Sequence, residues 1–435
     1  MTEVDEQLAL GGRGGGARRR RSRAPVEPAT RLPVARVAVD VPLPHLDRPF
    51  DYLVPARLDA AVVPGGRVRV RFAGQLVDGW VLDRAAASDH AGSLAYLAGA
   101  PSAEPVLTPE VLRLARAVAD RWAGTLADVV RLAVPPRHAA VEAEPPRPPA
   151  PPPGGGPVPG RAAWEQYEAG QAFLDALAAG QPARAVWAAL PGATDWAVPI
   201  AAAVAAALAA GRGAVVVTPD GRDAARVDAA LTDLVGSGHH VVLTADLGPR
   251  ERYRRFLAAS RGAVRAVVGT RAAALAPVAG LGLVVVWDDG DDLHAEPRAP
   301  YPHARDVLVL RAHLAGAGAL VAGHAVTAEG AQLLATGWAR PLRAPRSAIR
   351  RLAPRVEVPG DLDAARDPAA RAARLPTIAW QAARTALAAG APVLVQVPRR
   401  GYQPALACDE CRAPARCQHC AGPLGRSGGA DAVPA

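Results

Sequence analysis

Residues 34–39 (VARVAV) and 67–82 (RVRVRFAGQLVDGWVL) alternate apolar and polar side chains with the period of two that a half-buried strand requires. Pro64, Gly65 and Gly66 supply turn chemistry ahead of the second run, so Val34 to about Pro136 is predicted to hold the short strands of a small β barrel. The period changes at Leu107. From there to Leu132 the positions Val111, Leu112, Leu114, Val118, Trp122 and Leu126 share one stripe of a helix. Next, His138 to Gly160 contains "PPRPPAPPPGGGPVPG", which carries no apolar period and is expected to be a semi-rigid linker.

From Trp164 to about Leu342 helical and strand patterns take turns. An Ala-rich helix from Ile200 to Ala210 precedes "GAVVVTP", and a helix from Arg222 to Leu234 precedes "HHVVLTA". "AVRAVVGT", "LGLVVVW" and "GALVAGH" follow. Apolar runs separated by helices of this length predict a parallel sheet covered on both faces, with ligands beyond the carboxyl ends of its strands. Trp380 to Ala389 and "PVLVQV" form a further α/β pair. The expected division is a disordered basic arm (1–33), the barrel domain (34–137), the linker (138–160), an α/β lobe (161–345) and the start of a second lobe (346–407). A cysteine segment (408–420) and a tail without structural signal (421–435) complete it.

Composition changes this picture in two ways. The 435 residues carry a formal charge of +9, which favours an anionic partner, nucleic acid first and an acidic membrane second. All 50 basic residues are arginines, so no site here can use a lysine. Part of the charge is local: Arg13, Arg18, Arg19, Arg20, Arg21 and Arg23 lie in a Gly-rich stretch that reads equally as a solubilising tail or a DNA-contacting arm. No segment has the unbroken apolar length of a membrane span, and "MTEVDEQLAL" lacks the order of a signal peptide, so a cytoplasmic, nucleoid-associated protein is expected.

All four cysteines fall in "CDECRAPARCQHC", as Cys408, Cys411, Cys417 and Cys420. Two C-x2-C knuckles suit a tetrahedral Zn2+, with His419 a further donor, and the cytoplasmic setting argues against disulfides. Five residues between the knuckles leave two arrangements open: one closed site, or two halves completed elsewhere.

The end of "LVVVWDDGDD" (283–292) is where a nucleotide-driven motor would hold magnesium. A phosphate loop also needs a Gly-rich turn, a lysine and a Ser or Thr. The segment in that place, "VWAALPGATDWAVP", keeps Gly192 but sets Asp195 and Trp196 where Lys and Thr are needed. A carboxylate there repels triphosphate.

Several stretches together resemble the replication restart (PriA) family. They are "VARVAVDVPLPHLDRPFDYLVP", "PGGRVRVRF", "VRAVVGTRAAALAPVAGLGLVVVWDDGDD", "YPHARDVLVLRAHLAGAGALVAGHAVTAE" and "VPRRGYQPALAC". The resemblance runs from Val34 to about Cys420 and implies a 3′-end DNA-binding domain, a winged helix, two RecA-like helicase lobes and a zinc insertion. Departures follow residue by residue. The family's acidic box D-E-E-H falls on Trp287, Asp288, Asp289 and Gly290, replacing the metal-organising aspartate with tryptophan. Its coupling motif G-S-A-T-P becomes Gly323 to Thr327, with the coupling hydroxyls expected to be lost. Against the family pattern, the winged helix is expected to give way to the Pro-rich linker, most of the second lobe is expected to be missing, and four of the eight zinc ligands are found.

The fold class implied is therefore α/β: a small β-barrel DNA-binding domain, a degenerate RecA-like lobe and a partial second lobe with a zinc-binding segment. The family's 3′-end pocket maps onto Phe50, Asp51 and Tyr52, with Gly74 (or Ala73) at the position of the family glycine, and the basic residue expected near Ala95 is absent. An aspartate accepts a hydrogen bond from a terminal 3′-hydroxyl and an aromatic ring stacks on the last base. Arg67, Arg69 and Arg71 alternate along one strand face and are candidates for phosphate contacts, or for an ordinary solvated face. The degenerate nucleotide position comprises Gly192, Asp195, Trp287 and Asp288, whose acids are expected in a solvated loop; ATP and Mg2+ are not expected to bind, and Zn2+ is.

The leading expectation is a monomeric, non-catalytic protein that binds forked or 3′-ended DNA and helps reassemble the replisome. Its partners would be primosome and replication proteins such as single-stranded DNA-binding protein and helicase-loading factors. The alternatives are an ATP-dependent 3′ to 5′ helicase with a non-standard nucleotide site, and a remnant serving protein contacts only.

Overall fold

The computed structural model describes residues 26–151, 156–192 and 195–358, then positions 360, 365, 367, 375–396, 402–403, 406–408, 410–419, 424 and 426–427. The chain divides into two units, residues 1–353 and 354–435.

Four antiparallel strands open the first unit: β1 (Val34–Val39), β2 (Phe50–Leu53), β3 (Arg67–Phe72) and β4 (Gln75–Ala85), in the order β2-β1-β4-β3. Alternation sends Val37, Val68, Val70 and Val81 to one side, where they form a core with Tyr52 and Leu97. Tyr96 bridges Leu53 of β2 and Gly99 bridges Arg69 of β3, so the segment 95–99 joins the two outer strands and leaves neither as a free edge. The reading of a small barrel thus becomes a four-stranded sheet curled shut by a non-strand segment.

The helical stripe from Leu107 breaks into α1 (Pro109–Arg121) and α2 (Leu126–Ala133). Ala123 takes φ +51, and Gly124 follows it against Pro300, where a Cβ would come within 2.5 Å of the ring. Thr125 and Asp128 then make a reciprocal capping box that starts α2. The Leu126 amide donates to Asp47 Oδ1, so the loop after β1 helps fix the new helix.

A seven-stranded, all-parallel sheet follows. Its strands are β5 (Arg184–Ala188), β6 (Gly213–Val217), β7 (His240–Leu243), β8 (Ala266–Gly269), β9 (Leu281–Trp287), β10 (Gly318–Gly323) and β11 (Arg340–Leu342). They lie in the order β11-β5-β10-β9-β6-β8-β7. Side chains alternate between two cores: Val215 and Val217 of β6 face one, Ala214 and Val216 the other. One core is covered by α4 (Gly170–Ala178), α5 (Ala197–Ala209) and α6 (Gly221–Val235). Helix α5 is apolar all round and buried along its length, as a helix without a polar face must be.

The other core is covered by α7 (Pro249–Ser260) and α8 (Ala304–Ala315), and also by α1 and α2, which the sequence placed with the barrel domain. Arg311 of α8, fully buried, donates to Glu110 of α1 at 2.9 Å and to the carbonyls of Ala274 and Ala276. Removing either member of such a buried pair would strand a charge, so α1 is fastened to the sheet domain.

The described part of the Pro-rich segment is not a free spacer. Val141 is buried on a short helix, α3 (Ala139–Glu142), and the Ala150 amide donates to the Ala263 carbonyl. Glu142 accepts from the Tyr253 hydroxyl and pairs with Arg137, while Glu144 pairs with Arg254 at 2.7 Å. Proline removes amide donors, but the two glutamates turn the segment into a strap across α7. After the sheet come α9 (Ala328–Ala335) and α10 (Arg346–Leu352).

In the second unit, α11 (Thr377–Ala388) occupies the expected helix, but the described part of "PVLVQV", residues 392–396, is not a strand and Leu394 stands 91% exposed. A parallel strand exists only with a neighbour to take its backbone groups, and none pairs with it among the described residues. Strands β12 (Tyr402–Gln403) and β13 (Arg426–Ser427) flank the cysteine segment. Among the described residues no helix is long and apolar enough to cross a membrane.

Candidate functional site

Two places matter: the β2 strand of the barrel and the carboxyl edge of the parallel sheet. On β2 the pleat separates Asp51 from its aromatic neighbours. Phe50 pairs with Val37 and Tyr52 with Ala35, both on the core side, whereas Asp51 pairs with Arg36 on the outer side. Tyr52 is buried and its hydroxyl donates to the Arg71 carbonyl at 3.4 Å, so it is a wall of the barrel rather than a stacking platform. Burial raises its phenol above the ordinary range. Phe50 sits at the rim with its edge against Phe72, at 4.9 Å, and the Arg48 guanidinium 4.8 Å from its centroid. Asp51 is half-buried and accepts from the Ser88 hydroxyl at 2.5 Å. Gly74 and Ala73 have φ +82 and +46 in the β3–β4 turn, where a two-residue hairpin of this hand needs positive φ.

The three alternating arginines of β3 do not form one phosphate-facing row. Arg67 lies over the Trp80 ring at 4.5 Å and donates to the Pro135 carbonyl, and burial lowers its pKa. It is a strut between barrel and helices, which removes it from the phosphate-contact set. Arg69 pairs with Asp78 at 3.2 Å on the surface, and Arg71 is exposed.

At the carboxyl edge of the sheet, tryptophans fill the position where the resemblance puts a nucleotide. Ala322 of β10 lies between Trp187 of β5 and Trp287 of β9 in register, and its small side chain lets the two indoles approach to 5.8 Å. Trp196, at the start of α5, stacks on Trp287 at 4.1 Å with the planes 9° apart. Trp164 packs beneath Trp187 at 5.0 Å and donates its indole N–H to the Pro199 carbonyl.

Among the described residues, several polar groups at this edge are engaged within the chain. The Leu190 amide, in the turn after β5, donates to the Tyr167 hydroxyl at 3.0 Å. Asp195 accepts from the Ala197 amide and pairs with Arg226, which covers the outer face of Trp196 at 4.7 Å. A carboxylate of the chain therefore occupies the positive end of α5, where an anion would otherwise sit. Gly192, φ +98, retains the turn.

The acids after β9 do not all form a solvated loop. Asp288 is exposed at φ +51, but Asp289 is buried. Its carboxylate accepts from the Thr327 hydroxyl at 2.6 Å and from Arg305 at 3.4 Å. Arg305 also donates to the Asp289 carbonyl and reaches Asp306 and Glu329. The hydroxyl expected to be lost from the coupling segment is thus present in Thr327, one position along, and an arginine neutralises the buried acid. Nearby, burial and then the charge of Asp220 raise Asp223, with Asp288 and Asp291 adding to the same acidic surface.

In the cysteine segment, Cys408, Cys411 and Cys417 are described and Cys420 lies outside the described residues. Hydrogen bonds from the Cys411 and Glu410 amides lower the Cys408 thiol, and the His419 amide donates to Cys417 Sγ at 3.4 Å. Amide donors at sulfur favour thiolates, which suits the donor set to zinc. Among the described residues no group of three or more metal-binding side chains is assembled.

Comparison with known proteins agrees with this geometry at the amino end. Residues 36–135 match the PriA 3′DNA-binding domain (3′BD) model. The chain is 55% identical over 391 residues to the "probable replication restart protein PriA" of Mycobacterium bovis, covering 89% of this chain and 59% of that protein. The Mycobacterium leprae protein of the same name is 54% identical over 388 residues, 88% of this chain and 59% of that one. In Deinococcus radiodurans a protein of that name is 30% identical over 244 residues, 52% of this chain and 25% of that one. The chain spans about three-fifths of the length of the mycobacterial relatives.

Sequence reasoning missed Ser88, Tyr167, Arg226 and Arg305. Only Arg305 left a signal, within the quoted "YPHARD"; the others act through contacts between distant segments.

Proposed function

We propose that the chain, a relative of the replication restart proteins, binds abandoned forks at their DNA 3′ ends and serves as a platform on which the replisome is reassembled, without helicase activity. The observation that carries this is the pairing of a 3′ DNA-binding barrel presenting Asp51 with an α/β lobe whose ligand edge is packed with tryptophan. The strand order β11-β5-β10-β9-β6-β8-β7, with an acidic turn after β9, supports reading that lobe as a RecA-like one that has given up its nucleotide. Asp195 stands in for phosphate at α5, and Arg305 stands in for a cation at Asp289. Phosphoryl transfer needs positioning and metal together, and here the chain's own side chains occupy both places.

The carboxylate of Asp51 accepts the terminal 3′-hydroxyl, while Arg69, Arg71 and Arg48 supply the salt-sensitive backbone attraction. Forks carrying a 3′-hydroxyl or a 3′-phosphate at the leading-strand junction, compared by fluorescence anisotropy at one salt concentration, test the reading. Preference for the hydroxyl, lost in Asp51→Ala, is the expected result; equal binding by the unaltered protein refutes it.

Cys408, Cys411, Cys417 and Cys420 hold Zn2+ in this reading, in a structural role that keeps the segment folded. Metal analysis of the dialysed protein should find bound zinc that is lost in Cys408→Ser, and a metal-free wild type would refute the assignment. Single-stranded DNA-binding protein and helicase-loading factors are the partner classes to test for capture on the fork-bound protein.

A further inference from the structure

We infer that Ser88 and Arg36 complete the 3′-end site around Asp51, Ser88 as the residue that orients the carboxylate and Arg36 as the contact for the last phosphodiester. This inference rests on the end-binding reading above. Asp51 projects from the outer face of β2, opposite to Phe50 and Tyr52, so its partners must come from that side. One is Ser88, in the loop after β4. The His90 amide donates to Ser88 Oγ at 3.1 Å, which leaves the serine proton directed at Asp51 Oδ2, 2.5 Å away. The hydrogen bond fixes one carboxylate oxygen and the rotation of the group, and leaves Oδ1 to accept from a sugar hydroxyl. An unanchored carboxylate would have to be ordered by the ligand itself, at a cost in affinity.

Arg36 faces Asp51 across β1 and β2 and faces Asp83 across β1 and β4. It is half-buried and, among the described residues, forms an ion pair with neither carboxylate. An arginine in register with two acids and paired with neither is available to a phosphate, and the fork geometry of its guanidinium suits that ligand. It also compensates for the basic residue missing near Ala95. The same arrangement rejects a blocked end, because a 3′-phosphate would place its charge against Asp51.

Ser88→Ala, Ser88→Thr and Arg36→Gln test this in the full-length protein with the hydroxyl-ended and phosphate-ended forks. A lost hydrogen bond to a charged group corresponds to about a tenfold loss of preference for the hydroxyl end in Ser88→Ala. Threonine, which keeps the donor, should restore that preference, and the melting temperature should not move. Arg36→Gln should weaken binding to both forks and lower the salt dependence by about one phosphate contact. Full preference in Ser88→Ala, where Asp51→Ala has lost it, overturns the assignment of Ser88. Unchanged affinity and salt slope in Arg36→Gln overturn that of Arg36. Preference retained in Asp51→Ala overturns the end-binding reading as a whole, a result distinct from either.

Discussion

At the residue scale, the tryptophans pack together at the sheet edge, and on the proposed reading they replace a ligand site rather than merely losing it. Trp287 sits where the resemblance calls for a metal-organising aspartate, buried between Trp196 and Trp187. Restoring the acid does not restore a site. Trp287→Asp would place an unpaired carboxylate in an apolar cluster and leave a cavity, for a loss of at least ~3 kcal/mol of stability. Urea unfolding should show the lower midpoint, and titration calorimetry should show no heat on adding ATP with magnesium. ATP binding by that variant would refute the idea that the cluster replaces the nucleotide position. The sequence exposed the substitution at 287 and the misplaced acid at 195. It could not reveal the stack, because residues 164, 187, 196 and 287 meet only through the strand order.

At the scale of elements, the two main misreadings have different origins. The stripe from Val111 to Leu126 suggested one helix because both helices present apolar faces to the same core. Thr125 and Asp128 carried the signature of a new start, and the continuous stripe obscured it. The Pro-rich segment was read by composition, which is blind to Glu142 meeting the Tyr253 hydroxyl and Glu144 meeting Arg254 on a helix more than a hundred residues away. That strap makes a pH prediction. Hydrogen bonds from Arg254 hold the Glu144 carboxyl at about 2, against an ordinary value of 4.5. A depressed acid contributes stability that is present above its unfolded pKa and is lost as pH falls through the folded one. The strap should therefore weaken between about pH 4.5 and 2, with Arg254 losing its partner. Thermal melts of wild type and Glu144→Gln over that window should converge towards the acid end; a constant gap between them would show that the Glu144 charge does not hold the strap.

At the scale of the molecule, period alone marked out the barrel strands and the alternating helices and strands of the sheet domain. Strand order, the sharing of α1 and α2 with the sheet, and the closing role of segment 95–99 were illegible, since each depends on pairings between remote stretches. The candidate site divides the same way. Asp51 was legible by resemblance, whereas its outward direction and its serine came from the pleat and a loop. Arg67 misled because alternation does not say what lies over a strand, and here Trp80 and Pro135 do. The internal charge balance at the sheet edge, Asp195 against the α5 amide and Arg305 against Asp289, bears on physiology. The lobe, which on the proposed reading holds no exchangeable phosphate, would be indifferent to the ratio of ATP to ADP. On the proposed reading, its hold on a fork follows ionic strength and the supply of unextended ends, and would persist in a starved cell whose energy charge has collapsed.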